Sequence, residues 1–145
     1  MPTDSQFKEA FAVASVSKAY LARYYLRALE RAKQGEVDPE LVPNEDPEAV
    51  NLEHIIPQKM SQSWVHITDD EHSALVHRIG NLALLKMRIN SGAGADGFKY
   101  KSAFYRESAL QLTRDIGSEA EWGRAQVEAR QRRLADLAVK AWPLV

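Results

Sequence analysis

The 145-residue chain has no cysteine, so disulfides and thiolate-bound metals are excluded. Any metal must sit on His, Asp, Glu, Asn or backbone oxygens, a donor set that favours hard divalent cations. No apolar run approaches the 18 or so residues of a membrane span. The N-terminus Met1-Pro2-Thr3-Asp4-Ser5 lacks the features of a signal peptide. The expectation is a cytoplasmic protein with no membrane partner. Internal repeats and low-complexity tracts are also missing. The glycine-rich segment Ser91 to Gly97 is not followed by Gly-Lys-Ser/Thr, so it is not a nucleotide-binding P-loop. Net charge is nearly absent too, at −1, which argues against tight, unaided binding to DNA.

The composition is that of an ordinary soluble globular chain, long enough for one proper core. Beneath the small net charge lies a strong pattern. Residues 34 to 72 carry ten acidic side chains and one basic, Lys59. Residues 78 to 106 carry Arg78, Lys86, Arg88, Lys99, Lys101 and Arg106 against Asp96. Two solvated loops of opposite sign would look like this. So would a basic stretch that holds phosphates beside a reactive cluster.

Residues 4 to 33 read as helix with a break near Ser15 to Ser17, stopped by Gly35. The helical spacing of Tyr20, Tyr24 and Tyr25 favours core packing over stacking on bases. Residues 34 to 50, with Pro39, Pro43 and Pro47, form a loop. Val50 to Ile56 is β-compatible and ends at Pro57. Asn81 to Leu85 is a short apolar run between Gly80 and Lys86, and pairing it with 51 to 56 gives a hairpin with a long insert. Trp64 is a candidate anchor, and Thr68 to His72 a candidate helix start. Phe98 to Leu112 reads as one helix. Ser118-Glu119-Ala120-Glu121 reads as a capping box opening a long helix to about Ala141.

One constellation carries chemistry. Glu53-His54 is followed by Asn81 and then by Asn90. Phosphodiester cleavage needs a base for water, and positive charge on the phosphoryl oxygens. His54 suits the base, because its ordinary pKa of about 6.5 leaves it mostly neutral. Neighbours on a strand point to opposite faces, so Glu53 and His54 share a face only if the strand ends or bulges there. Asn81 is either a turn residue or a brace between the strands that sets the His54 ring. Asn90 is either a turn residue or a neutral oxygen ligand for Mg2+ or Mn2+. His66, His72 and His77 read as surface or core residues, since the five-residue spacing of the last two does not make a helical ligand pair.

Read together, these residues resemble the C-terminal HNH-like (His-Asn-Asn) nuclease domain of GmrSD-type, modification-dependent restriction enzymes and related phage-defence proteins. The matching words are Glu53-His54-Ile55-Ile56-Pro57-Gln58, then Ile79-Gly80-Asn81-Leu82-Ala83-Leu84-Leu85, then Asn90. Phe98, Lys101, Tyr105 and Ser108 follow, and Trp122, Arg130, Leu134 and Trp142 close the pattern. The helix with Ala22, Tyr25, Leu26 and Leu29 also fits. The resemblance implies His54 as general base, Asn81 as the middle Asn supporting the hairpin, and Asn90 as the metal-side Asn. It puts Glu53 where the wider group often has a metal-binding Asp, and makes Lys101 a phosphate-holding lysine.

The fold class expected is α+β, mostly helical. A ββα-metal (HNH, His-Me finger) core at 50–98 follows a helical lead-in at 1–33 and precedes C-terminal helices at 98–142, all within one domain, 1–145. The catalytic set expected is His54, Asn81 and Asn90, with Glu53 and Asn90 on one divalent cation, Mg2+ or Mn2+. Arg78, Lys86, Arg88, Lys99 and Lys101 are the expected DNA contacts. The expected activity is DNA endonucleolysis, nicking or cutting both strands, in defence against phage or foreign DNA. The resemblance also implies a partner, an N-terminal sensor or nucleotide-binding domain of a longer protein. Two other readings stay open: a catalytically silent DNA-binding or regulatory module, and a helical domain that docks that N-terminal partner.

Overall fold

A computed structural model describes residues 3–35, 50–86 and 97–142. The expected loops at 36–48 and 91–96, with Arg88 and Asn90, lie outside the described residues. Six helices surround one two-stranded sheet among the residues described: α1 Asp4–Phe11, α2 Ala19–Gln34, β1 Asn51–His54, α3 Asp69–Leu75, β2 Leu82–Leu85, α4 Phe98–Arg106, α5 Gln111–Ile116 and α6 Arg124–Ala141. The class is α+β. No helix is long and apolar enough to cross a membrane among the described residues.

Local chemistry accounts for most boundaries. α1 starts at a capping box in which the Thr3 side chain accepts from the Gln6 amide and Gln6 reaches back. The same device opens α3, between Thr68 and Glu71. The expected break between α1 and α2 is present, and there Ser15 bridges Arg78 in antiparallel fashion. α2 stops at Gly35, whose φ of +82° suits a residue without Cβ.

The hairpin is antiparallel, with Asn51 opposite Leu85 and His54 opposite Leu82. Alternation along the strands sends side chains to two separate cores. One face carries Leu52, Leu82 and Leu84 into a core with Ala22, Leu26 and Leu29 of α2 and Leu134 of α6. The other carries Ala83 and Leu85 into a core with Trp64, Phe98, Tyr105 and Trp122. Trp64 is the anchor its position promised, fully buried.

Three sequence expectations need correction. Phe98 to Leu112 is not one helix. The chain breaks after Arg106, because the buried Glu30 carboxylate accepts from the amides of Gln111 and Leu112 and caps a new helix, α5. Ser118 opens no helix. Its hydroxyl and amide both turn back to the Asp115 carbonyl, while Trp122 enters the core and α6 begins only after Gly123. Tyr20 and Tyr24 are not core residues but leave 60% and 49% of their surface in water.

Candidate active site

The site forms at the C-terminal end of β1. Glu53 and His54 obey strand alternation and diverge. The Glu53 carboxylate turns toward α4, where Oε2 accepts the Tyr105 hydroxyl at 2.7 Å and lies 3.6 Å from the Lys101 ammonium. Lys101 and Tyr105 are four residues apart, one helical turn on one face, so α4 presents both to the same carboxylate. Lys101 is fully buried and also donates to the His54 and Ile55 carbonyls at 3.0 and 3.1 Å. Burial raises the Glu53 pKa above its ordinary value, and the Lys101 charge opposes this only in part. Tyr105 keeps its proton, since burial and then the Glu53 charge push its pKa well up.

His54 projects from the other face, the side on which α2 packs. Its ring meets that of His77 edge to face, with centroids 5.6 Å apart. Burial, then His77 and then Lys101 lower its pKa from 6.5 to about 4. At neutral pH the imidazole is therefore uncharged and has a lone pair to accept a proton. A phosphate anion arriving beside it would oppose that shift, because an opposite charge favours the protonated ring.

Asn81 stands behind the end of β1 and is fully buried. Its Oδ1 accepts from the Ile56 amide at 2.8 Å and the Trp122 indole at 3.2 Å. Its Nδ2 donates to the Ile56 and Val76 carbonyls at 3.0 and 3.1 Å. Every polar group of the Asn81 side chain is thus engaged by protein, an arrangement that suits the brace between the strands offered by the sequence. Next to it, Gly80 has no room for a side chain, because a Cβ there would collide with the Val127 carbonyl of α6. Arg130, also buried, donates to the Gly80 and Leu82 carbonyls at 3.0 and 2.6 Å and ties α6 to the same turn.

The C-terminal domain of GmrSD restriction endonucleases matches residues 1–137. The chain belongs to that family. No curated protein matches it closely enough to serve as a relative.

Within this family member, the cations expected to touch DNA divide. Lys86 and Lys99 are exposed at the end of β2 and on α4. Lys101 is not a surface phosphate contact, since its ammonium points inward to Glu53 and two carbonyls. Arg78 is likewise turned inward, donating to the Gln131 side chain at 3.0 Å and the Ala12 carbonyl at 2.7 Å. Arg88 and Asn90 lie outside the described residues.

Two neighbours of the site escaped the sequence reading. His77 comes to His54 only because the 12–18 segment and the turn at 79–81 bring it there, and no local pattern announces this. Tyr105 stood in the family words without a role, and its spacing from Lys101 was the signal available. His66 and His72 have the structural roles their sequence setting implied, each placing a ring nitrogen within 2.9 Å of a backbone carbonyl, that of Trp122 and Pro57 respectively.

Proposed function

We propose that this chain is a DNA endonuclease of the ββα-metal (HNH) type, dependent on Mg2+ or Mn2+. The observation that carries the reading is His54 at the end of β1, held edge-on by His77, with the Glu53 carboxylate clamped by Tyr105 and Lys101 on the opposite face of the same strand. The restriction-endonuclease family supports DNA as substrate and defence against foreign DNA as the setting.

The donor chemistry fits a hard cation. Glu53 is a hard oxygen donor held in place by Tyr105 and Lys101. No group of three His, Asp or Glu side chains converges among the described residues. A cation on Glu53 would therefore complete its shell with amide oxygen, for which we propose Asn90, and with water. When bound, the ion would add positive charge at the phosphoryl and leaving oxygens.

The chain's own residues do the rest. His54 takes the proton from the attacking water, being unprotonated at working pH. His77 packs edge-on against that ring and restricts its orientation. Tyr105 and Lys101 fix the Glu53 carboxylate, so its position does not depend on ligand binding. Asn81 holds Ile56 against Val76 and Trp122, and thereby fixes the backbone next to His54. Lys86 and Lys99 are the exposed cations of the basic stretch available to phosphates.

The chain as a whole, 1–145, acts as one domain in this reading. Its small net charge fits a module that borrows affinity from an N-terminal sensor domain of the full protein. Incubating supercoiled plasmid with the chain in Mg2+, Mn2+ and EDTA tests the proposal. Nicked or linear product in either metal, absent in EDTA, supports it. Intact plasmid bound by the chain under every metal condition would favour the silent DNA-binding module instead.

A further inference from the structure

We propose that the outer face of α2 is a DNA-binding surface, on which Arg23 and Arg31 hold the phosphates of one strand and Tyr20 and Tyr24 stack on its unpaired bases. The inference deepens the endonuclease reading and rests on it for the choice of DNA.

α2 buries Ala22, Leu26 and Leu29 against the hairpin. At 100° per residue, Tyr20, Tyr24, Arg27 and Arg31 fall on the opposite side, with Arg23 at its edge. Tyr20 and Tyr24 are the exposed large side chains there, and an open depression runs among Tyr20, Leu21, Arg23, Tyr24 and Arg27. The Tyr24 ring is braced edge-on by Tyr25, centroids 5.7 Å apart, and Tyr25 in turn by Trp142 at 5.7 Å. A braced, half-exposed aromatic loses little freedom when a base stacks on it.

Among the described residues, α2 itself exposes charge of one sign. α2 contains a single carboxylate, Glu30, and it is buried, capping α5 and accepting from Gln34. The exposed charge that α2 itself contributes is therefore positive: Arg23, Arg31 and Lys33, the last 3.9 Å from Asp115. Cations interleaved with aromatics match a nucleic-acid strand. They match an acidic protein less well, because nothing in such a partner needs two stacked tyrosines.

Position argues the same way. His54 lies on the sheet face that α2 covers, as Leu52 two residues before it shows by packing with Ala22 and Leu26. A helix is about 10–12 Å across. The outer face of α2 thus lies one helix width from the sheet face that carries His54. It takes over from the inward-turned Arg78 and Lys101 as a source of positive charge for the strand.

The test uses the whole chain in EDTA, so that binding is read without cleavage. Fluorescence anisotropy follows a 20-nucleotide single strand and the matching duplex at several salt concentrations. Arg23→Ala with Arg31→Ala should weaken both and make the duplex salt slope shallower by about 0.9 for each phosphate that is no longer neutralised. Tyr20→Ala with Tyr24→Ala should weaken single-strand binding about tenfold or more and the duplex less, at unchanged salt slope. Circular dichroism and melting curves matching wild type show that each variant is folded, and Tyr20→Phe with Tyr24→Phe should retain the single-strand affinity. Affinities and slopes unchanged in folded variants overturn the proposal. So does concentration-dependent self-association in ultracentrifugation that the tyrosine pair abolishes while DNA affinity stays at wild type, which would make the face an interface between copies. If wild type binds through α2 but never cuts plasmid in metal, the surface stands and the endonuclease reading fails. If wild type cuts and the variants bind unchanged, the reverse holds.

Discussion

Asn81→Ala tests whether the turn that carries the site depends on one side chain. The substitution leaves the Ile56 amide and the Trp122 indole without an acceptor and takes a donor from the Ile56 and Val76 carbonyls. A buried polar group deprived of its partner costs about 1–3 kcal/mol. The two donors dominate, since a carbonyl keeps a second lone pair. With partial relaxation the total is about 3–5 kcal/mol, among the larger single-residue effects. At about 2–4 °C per kcal/mol for a chain of this size, the melting temperature should fall by roughly 6–20 °C. Asn81→Asp keeps the acceptor but sets an oxygen against the two carbonyls, so it should destabilise as well. Thermal and urea unfolding followed by circular dichroism give the answer. A loss below about 1 kcal/mol in Asn81→Ala would refute the reasoning, because it would mean that four buried bonds hold nothing.

Gly80→Ala should cost about 1–3 kcal/mol by overpacking against the Val127 carbonyl, read from the same unfolding curves. Tyr105→Phe removes one hydrogen bond from Glu53 at constant shape, so cleavage or metal affinity should fall about 10–100-fold, with a stability loss of about 1–3 kcal/mol in the same unfolding curves. In the metal-free chain, the His54 ring should titrate near pH 4 by NMR instead of near 6.5. The folded-state pKa lies below the unfolded one, so the unfolded chain binds the extra proton. This contribution to stability is present above pH 6.5 and is lost as pH falls from 6.5 toward 4. A His54 midpoint at or above 6.5 would contradict the burial described.

Short-range chemistry was legible and long-range chemistry was not. The hairpin, its 27-residue insert between His54 and Leu82, the break before α2 and the stop at Gly35 all follow from apolar runs and turn residues close in sequence. The boundary at 107–110 was not legible, because the cap that makes it comes from Glu30, 81 residues earlier. Ser118 has the spacing of a capping box, but burial of Trp122 outweighs a cap worth about 1 kcal/mol. Tyr20 and Tyr24 misled because the three tyrosines spread over about 140° of the helix circumference, and only packing decides which of them faces inward. At the candidate site, Glu53 and His54 were singled out by type and order. That Lys101 and Arg78 face inward was hidden, since charge alone does not say which way a long side chain turns.

The most direct test of the account is the rate of plasmid cleavage by His54→Ala against wild type, in saturating Mn2+ with enzyme in excess over DNA. Removal of the general base should slow cleavage about 10²–10⁴-fold, with circular dichroism and DNA affinity unchanged. A His54→Ala chain that folds, binds and cuts at the wild-type rate would contradict the account.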